Sequence, residues 1–129
     1  MSIRIVRLGT NRSPNEGLRV GTVRRPPRGV PKSEYAVQNW YDVWFPNLSP
    51  SPEAMKLGQQ AKTPSDWKAF FRKFRAEMTT SENSKSLDLL AALSHQTNFS
   101  IGCYCAEEER CHRSALRALL LERGAAVER

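Results

Sequence analysis

Phe99-Ser100-Ile101-Gly102-Cys103-Tyr104 runs into Cys105-Ala106-Glu107-Glu108-Glu109-Arg110-Cys111, then His112-Arg113-Ser114-Ala115-Leu116, and this stretch sets the fold class. Its first six residues alternate as a strand does. From about residue 112 to 123, Leu116, Leu119 and Leu120 share one helical face, and Gly124 is a good C-terminal stop. A strand that turns directly into a helix is a building unit of α/β domains. Open α/β sheets bind ligands in crevices at the carboxyl ends of their strands, so this turn is also the first place to look for chemistry.

Upstream, helical spacing predicts a helix from about residue 85 to 95, with Leu87, Leu90, Ala91 and Leu93 inward. Thr63-Pro64-Ser65-Asp66 offers a cap, a proline at the first helical position and an acid in the first turn. Trp67, Phe70, Phe71, Phe74 and Met78 follow at helical spacing. Such a stripe can stack nucleic-acid bases, but its spacing is the one that burial against a sheet requires. Three strands are predicted earlier, over residues 3–8, 18–23 and 40–45, the last with Asp42 as its one charge. Between the second and third, Arg24-Arg25-Pro26-Pro27-Arg28-Gly29 cannot continue a ladder and must be an extended basic loop. The order strand, strand, strand, two or three helices, strand, helix predicts one small α/β domain over residues 1–129. Its sheet is expected to be mixed and mainly parallel, with about four strands flanked by helices.

Length and composition agree. A chain of 129 residues, 40% apolar and 26% charged, reads as an ordinary globular domain. It can bury about two-thirds of its unfolded surface without disulfide staples. No apolar run approaches the ~20 residues of a membrane helix, and the first residues lack a signal-peptide stretch. Three cysteines, an odd number, fit a reducing compartment, so a cytoplasmic protein is expected.

The net charge of +7 is unevenly placed. Residues 1–32 hold eight basic side chains (Arg4, Arg7, Arg12, Arg19, Arg24, Arg25, Arg28 and Lys32) against one acid, Glu16; the rest of the chain balances. Arginine suits planar capture of phosphate or carboxylate. The asymmetry therefore predicts an anionic partner, a nucleotide or nucleic acid, although a basic face that merely aids solubility has the same composition. No basic amphipathic helix accompanies it, so no membrane partner is expected. No cofactor is implied.

Three readings compete for the cysteine turn. In the first, Cys111 or Cys105 is a thiolate nucleophile at a helix start, His112 assists, and Arg113 holds an oxyanion or phosphate. A reversible Cys105–Cys111 disulfide is a variant of it. In the second, Cys103, Cys105, Cys111 and His112 bind zinc, against which stands the difficulty of aiming the adjacent Cys111 and His112 at one ion, and no metal is assigned. In the third, the cysteines are structural, Cys103 above all. The anion-binding set is expected to be Arg113 with Arg12, Arg24, Arg25 and Arg28. Asp42 is either paired with an arginine or a base. The run Glu107-Glu108-Glu109 reads as a solvated acidic loop.

Taken together, Asp42-x-Trp44-x-Pro46-x-Leu48-x-Pro50-Ser51, Trp67-x-x-Phe70 with Glu77-Met78, and Gly102-Cys103-Tyr104-Cys105 with Cys111-His112-Arg113 resemble the YeaO-like domain-of-unknown-function family, number 488. Pro27-Arg28-Gly29-Val30 fits the same pattern. The resemblance spans nearly the whole chain. It implies a small bacterial α/β domain and carries over no agreed catalytic residues. The functional expectation is a basic anion pocket beside a Cys-His-Arg turn, with thiol-dependent chemistry. The alternative is a non-catalytic nucleic-acid or protein-binding module with structural or zinc-binding cysteines.

Overall fold

The computed structural model describes residues 1–129 and places four strands in one sheet, in the order β1-β4-β2-β3. These are β1 (Ile3–Arg7), β2 (Leu18–Gly21), β3 (Val43–Trp44) and β4 (Phe99–Cys103). Every pair is parallel, so the expectation of a mixed sheet is corrected. Parallel neighbours need crossovers, and here even the irregular segment after β1 carries the chain across β4 before β2 begins. Gly17 makes this possible: its φ is +78°, and a Cβ there would sit 2.0 Å from the Asn98 carbonyl oxygen. All five residues of β4 are buried, as the centre of a parallel sheet demands.

Four α-helices accompany the sheet: α1 (Pro52–Gln60), α2 (Pro64–Glu77), α3 (Ser81–Leu93) and α4 (His112–Glu122). The cap at Thr63 is a reciprocal box, in which Thr63 accepts from the Asp66 N–H and Asp66 accepts from the Thr63 N–H. Replacing Thr63 by Ala is expected to cost about 1 kcal/mol, read as a lower urea midpoint at unchanged slope. Helix α1 carries the same kind of start, Ser51 capping the Ala54 N–H with Pro52 next. Its weak apolar pattern hid it. Helix α3 begins four residues earlier than the periodicity indicates, because Thr80 caps a polar first turn that has no apolar face to read.

The third strand is the largest departure. Only Val43 and Trp44 pair, and the aromatic run before them turns instead. Trp40 packs over Gly9, where a Cβ would meet its ring at 2.8 Å, and Tyr41 lies against Gly21. These rings build a second, smaller core with Leu8, Val23, Cys103 and Cys111 at the carboxyl ends of the strands. The main core lies elsewhere and includes Ile3, Val20, Phe74, Leu87, Ile101 and Leu116. Phe74 and Met78 of the aromatic stripe belong to it, as burial predicts. No helix is long and apolar enough to cross a membrane.

Candidate thiol–imidazole site

Beyond the carboxyl ends of β2 and β4 lies a cavity of about 690 Å³. Cys103, Cys111 and His112 form part of its wall and are themselves buried; Cys105, Arg25, Arg28 and Arg110 line it from exposed positions. Trp67 and Phe70 of α2 close another side, their rings edge to face with centroids 5.9 Å apart.

Backbone geometry brings the sulfurs together. Cys103 is the last residue of β4, and Cys111 is the extended residue (φ −142°, ψ 151°) at which the chain enters α4. Because Cys111 is extended and His112 is the first helical residue, their side chains do not diverge: Cys111 Sγ lies 3.7 Å from His112 Nδ1. That geometry removes the difficulty raised against adjacent residues sharing one site. Cys103 donates to Cys105, Sγ to Sγ 3.7 Å, and all three thiols are free.

His112 is oriented from behind. Its Nε2 is 2.7 Å from the Thr22 carbonyl oxygen, which only accepts, so Nε2 carries hydrogen and Nδ1 faces the sulfur. The Thr22 hydroxyl donates onward to the Gly102 carbonyl, and the Phe74 ring meets the imidazole edge to face.

Hydrogen bonds from Cys103 and Cys105 pull the Cys111 thiol far below its ordinary value against the opposing effect of burial, and His112 adds to the pull. Arg113 Nε donates to Cys111 Sγ at 3.4 Å. Cys103 moves the opposite way, raised by its bonds to Cys105 and Cys111 and by burial. For Cys105 the bond from Cys103 lowers the value, but its bond to Cys111 and burial outweigh it, and the thiol is raised. These opposite directions set Cys111 apart as the most acidic of the three thiols.

The basic loop reaches this cluster through contacts the sequence did not reveal. The Tyr104 hydroxyl donates to the Arg25 carbonyl at 2.8 Å, and Trp44 Nε1 to the Val23 carbonyl at 2.7 Å. Arg24 Nε donates to the Pro50 carbonyl, while the guanidinium groups of Arg25, Arg28 and Arg110 make no hydrogen bond or ion pair within the chain. Arg110 lies outside the arginine-rich first quarter of the chain, and its one signal in the sequence is its place in the same turn as the cysteines.

Two expected anion ligands lie elsewhere. Arg12 grips Asp42 through NH1 at 2.8 Å and NH2 at 3.1 Å and does not line the cavity. Asp42 also accepts the Arg19 backbone N–H, so it is a paired carboxylate. Arg113 is buried, and besides the sulfur it binds the Cys105 carbonyl at 2.8 Å. Its charge is directed at the cysteines, and it does not itself line the cavity. In the acidic run, Glu108 is not merely solvated: it clamps Arg117 of α4, with Arg117 NH2 at 2.9 Å from its carboxylate, and fixes the turn. A second cavity, about 440 Å³, shares Arg24 but is lined by Ser51, Glu77 and Asn83 and holds no thiol.

These features define a small parallel α/β domain with a thiol–imidazole cluster beyond the ends of its strands. Over residues 3–124 the sequence matches the family described as the active DUF488-N3 subclade. The chain belongs to that family, the DUF488 domain of unknown function that includes the YeaO-like proteins. No curated protein and no solved structure matches it.

Proposed function

We propose that the cavity binds a phosphate-bearing ligand, a nucleotide or a segment of nucleic acid, and that Cys111 serves it as a thiolate in a thiol-dependent site. The observation that carries this reading is that Arg25, Arg28 and Arg110, free of partners, line the same cavity as Cys111 and His112. Guanidinium groups at a cavity mouth attract and orient phosphate, and the aromatic wall of Trp67 and Phe70 offers a face for a base. The volume is within the range of nucleotide-sized pockets. The word "active" in the family's description supports chemistry at the site in preference to a purely structural role.

Equilibrium binding of pyrophosphate, a nucleoside triphosphate and a short single-stranded DNA tests it. Arg25→Ala and Arg28→Ala should each weaken the triphosphate by about tenfold. Binding should also fall with added salt. Affinity unchanged in the double variant overturns the reading. Salt-dependent binding of duplex DNA that survives both Arg25→Ala and Cys111→Ser favours the non-catalytic binding module instead.

A further inference from the structure

Three sulfurs and one ring nitrogen converge where β4 ends and α4 begins. The ligand atoms of Cys103, Cys111 and His112 all lie within 4.8 Å of one another. Cys105 Sγ is 3.7 Å from Cys103 Sγ, and Cys111 Sγ is 3.7 Å from His112 Nδ1. A tetrahedral ion with metal–sulfur bonds of about 2.3 Å holds adjacent sulfurs about 3.8 Å apart. Two of the six edges of a tetrahedral shell therefore have the required length already, and the two that join Cys103 to Cys111 and to His112 are no longer than 4.8 Å.

We propose that Cys103, Cys105, Cys111 and His112 bind a tetrahedral, thiolate-preferring divalent ion of the zinc class, with the exposed Cys105 as the exchangeable ligand. Three further observations fit a ligand shell better than a set of inert thiols. The Nε2–H of His112 is donated to the Thr22 carbonyl, the outer bond that fixes the tautomer and aim of a ligating imidazole. The guanidinium of Arg113, buried beside Cys111 Sγ, offsets the one negative charge that three thiolates leave on a divalent ion. All four donors line the cavity, which gives the ion an access route. A soft sulfur set selects zinc over the hard cations. The proposal goes beyond anion binding and does not rest on it; it makes the Cys111 thiolate a ligand.

The test uses the full chain, prepared under reducing conditions, treated with chelator and titrated with Co²⁺ as a spectroscopic probe. The expected result is saturation at one equivalent, with sulfur-to-cobalt charge-transfer absorption and intense tetrahedral visible bands that Zn²⁺ abolishes. Cys105→Ser, at an exposed position and so without a folding cost, should keep the stoichiometry but lose about a third of the charge-transfer intensity. Arg113→Lys should weaken Co²⁺ by about tenfold or more while leaving the band positions in place. Folded wild-type chain showing no charge-transfer band overturns the proposal. So does a Cys105→Ser variant with undiminished intensity, since it removes the fourth ligand. Triphosphate binding measured in the same samples separates the two readings: its loss with an intact cobalt spectrum defeats only the anion reading, and the reverse defeats only the metal site.

Discussion

Arg19→Met lowers the unfolding free energy by about 3–5 kcal/mol at neutral pH, because it leaves an uncompensated carboxylate inside the protein. Arg19 is wholly buried, and its Nε and NH2 bind the two oxygens of Glu16 at 2.8 and 3.0 Å. Its NH1 donates to the carbonyls of Thr10 and Asn39, at 2.9 and 2.8 Å. Glu16 in turn accepts from the Ser100 hydroxyl at 2.7 Å and the Ser13 N–H at 3.1 Å. One ion pair thus ties the crossover segment to β2, β4 and the turn at Asn39, where a two-stranded neighbour or a helix would otherwise brace a parallel crossover.

The pH dependence of that pair has a definite sign. Burial raises the Glu16 value, but the bonds from Arg19, Ser100 and Ser13 and the Arg19 charge outweigh it and bring it from 4.5 down to about 2. A carboxylate whose value is lower in the folded state stabilises fully above its unfolded value, and that stabilisation fades as pH falls from 4.5 through about 2. The amount at stake is up to about 3 kcal/mol. Urea unfolding at neutral pH and at about pH 3 should therefore show the gap between wild type and Arg19→Met narrowing in acid, as Glu16 of the variant protonates. Adding Glu16→Gln should restore part of the loss at neutral pH. A gap below about 1 kcal/mol, or one indifferent to pH, would mean the pair carries no such weight.

Much of this architecture is legible along the chain, and the exceptions have physical causes. The β4–turn–α4 unit, the Thr63 cap and the β1 and β2 strands announce themselves through local periodicity and capping residues, which need no tertiary information. The aromatic density at 40–45 misleads because β-forming side chains also suit a small core: Trp40 and Tyr41 are there to cover Gly9 and Gly21, contacts between residues far apart in sequence. Charge position is legible where charge partnership is not. The arginines of residues 1–32 look alike in the sequence, yet Arg12 is committed to Asp42 and Arg19 to Glu16, while Arg25 and Arg28 stay free at the cavity. What brings that loop to the cysteines includes the Tyr104 hydroxyl on the Arg25 carbonyl and the Trp44 indole on the Val23 carbonyl, bonds between residues that nothing in a linear reading would connect.

Cys111→Ser should cost about 3 kcal/mol or more in chelator-treated protein, well above the penalty for exchanging an ordinary neutral thiol. The reason is the buried cation left behind: Arg113 is 3% exposed, and of its two hydrogen-bond partners, Cys111 Sγ and the Cys105 carbonyl, only the sulfur can carry a negative charge. Arg113→Met should be destabilising for the converse reason, stranding a thiolate. The double variant has neither charge, so its loss should fall short of the sum of the singles by about 2 kcal/mol. Additivity within about 0.5 kcal/mol would show instead that Cys111 is a neutral thiol in the metal-free protein, and would defeat the thiolate on which the anion site draws. The metal site stands apart from this, since a binding ion displaces the thiol proton. The cycle also assigns the arginine its task. Arg113 donates to Cys111 Sγ and to the Cys105 carbonyl, is buried and does not line the cavity. It places a positive charge beside the sulfur from within, and on the proposed reading attraction of an anion from outside falls to Arg25, Arg28 and Arg110. On that reading, cations on both sides would let a thiolate and an anionic ligand share one small space, which an unshielded sulfur would resist by repulsion.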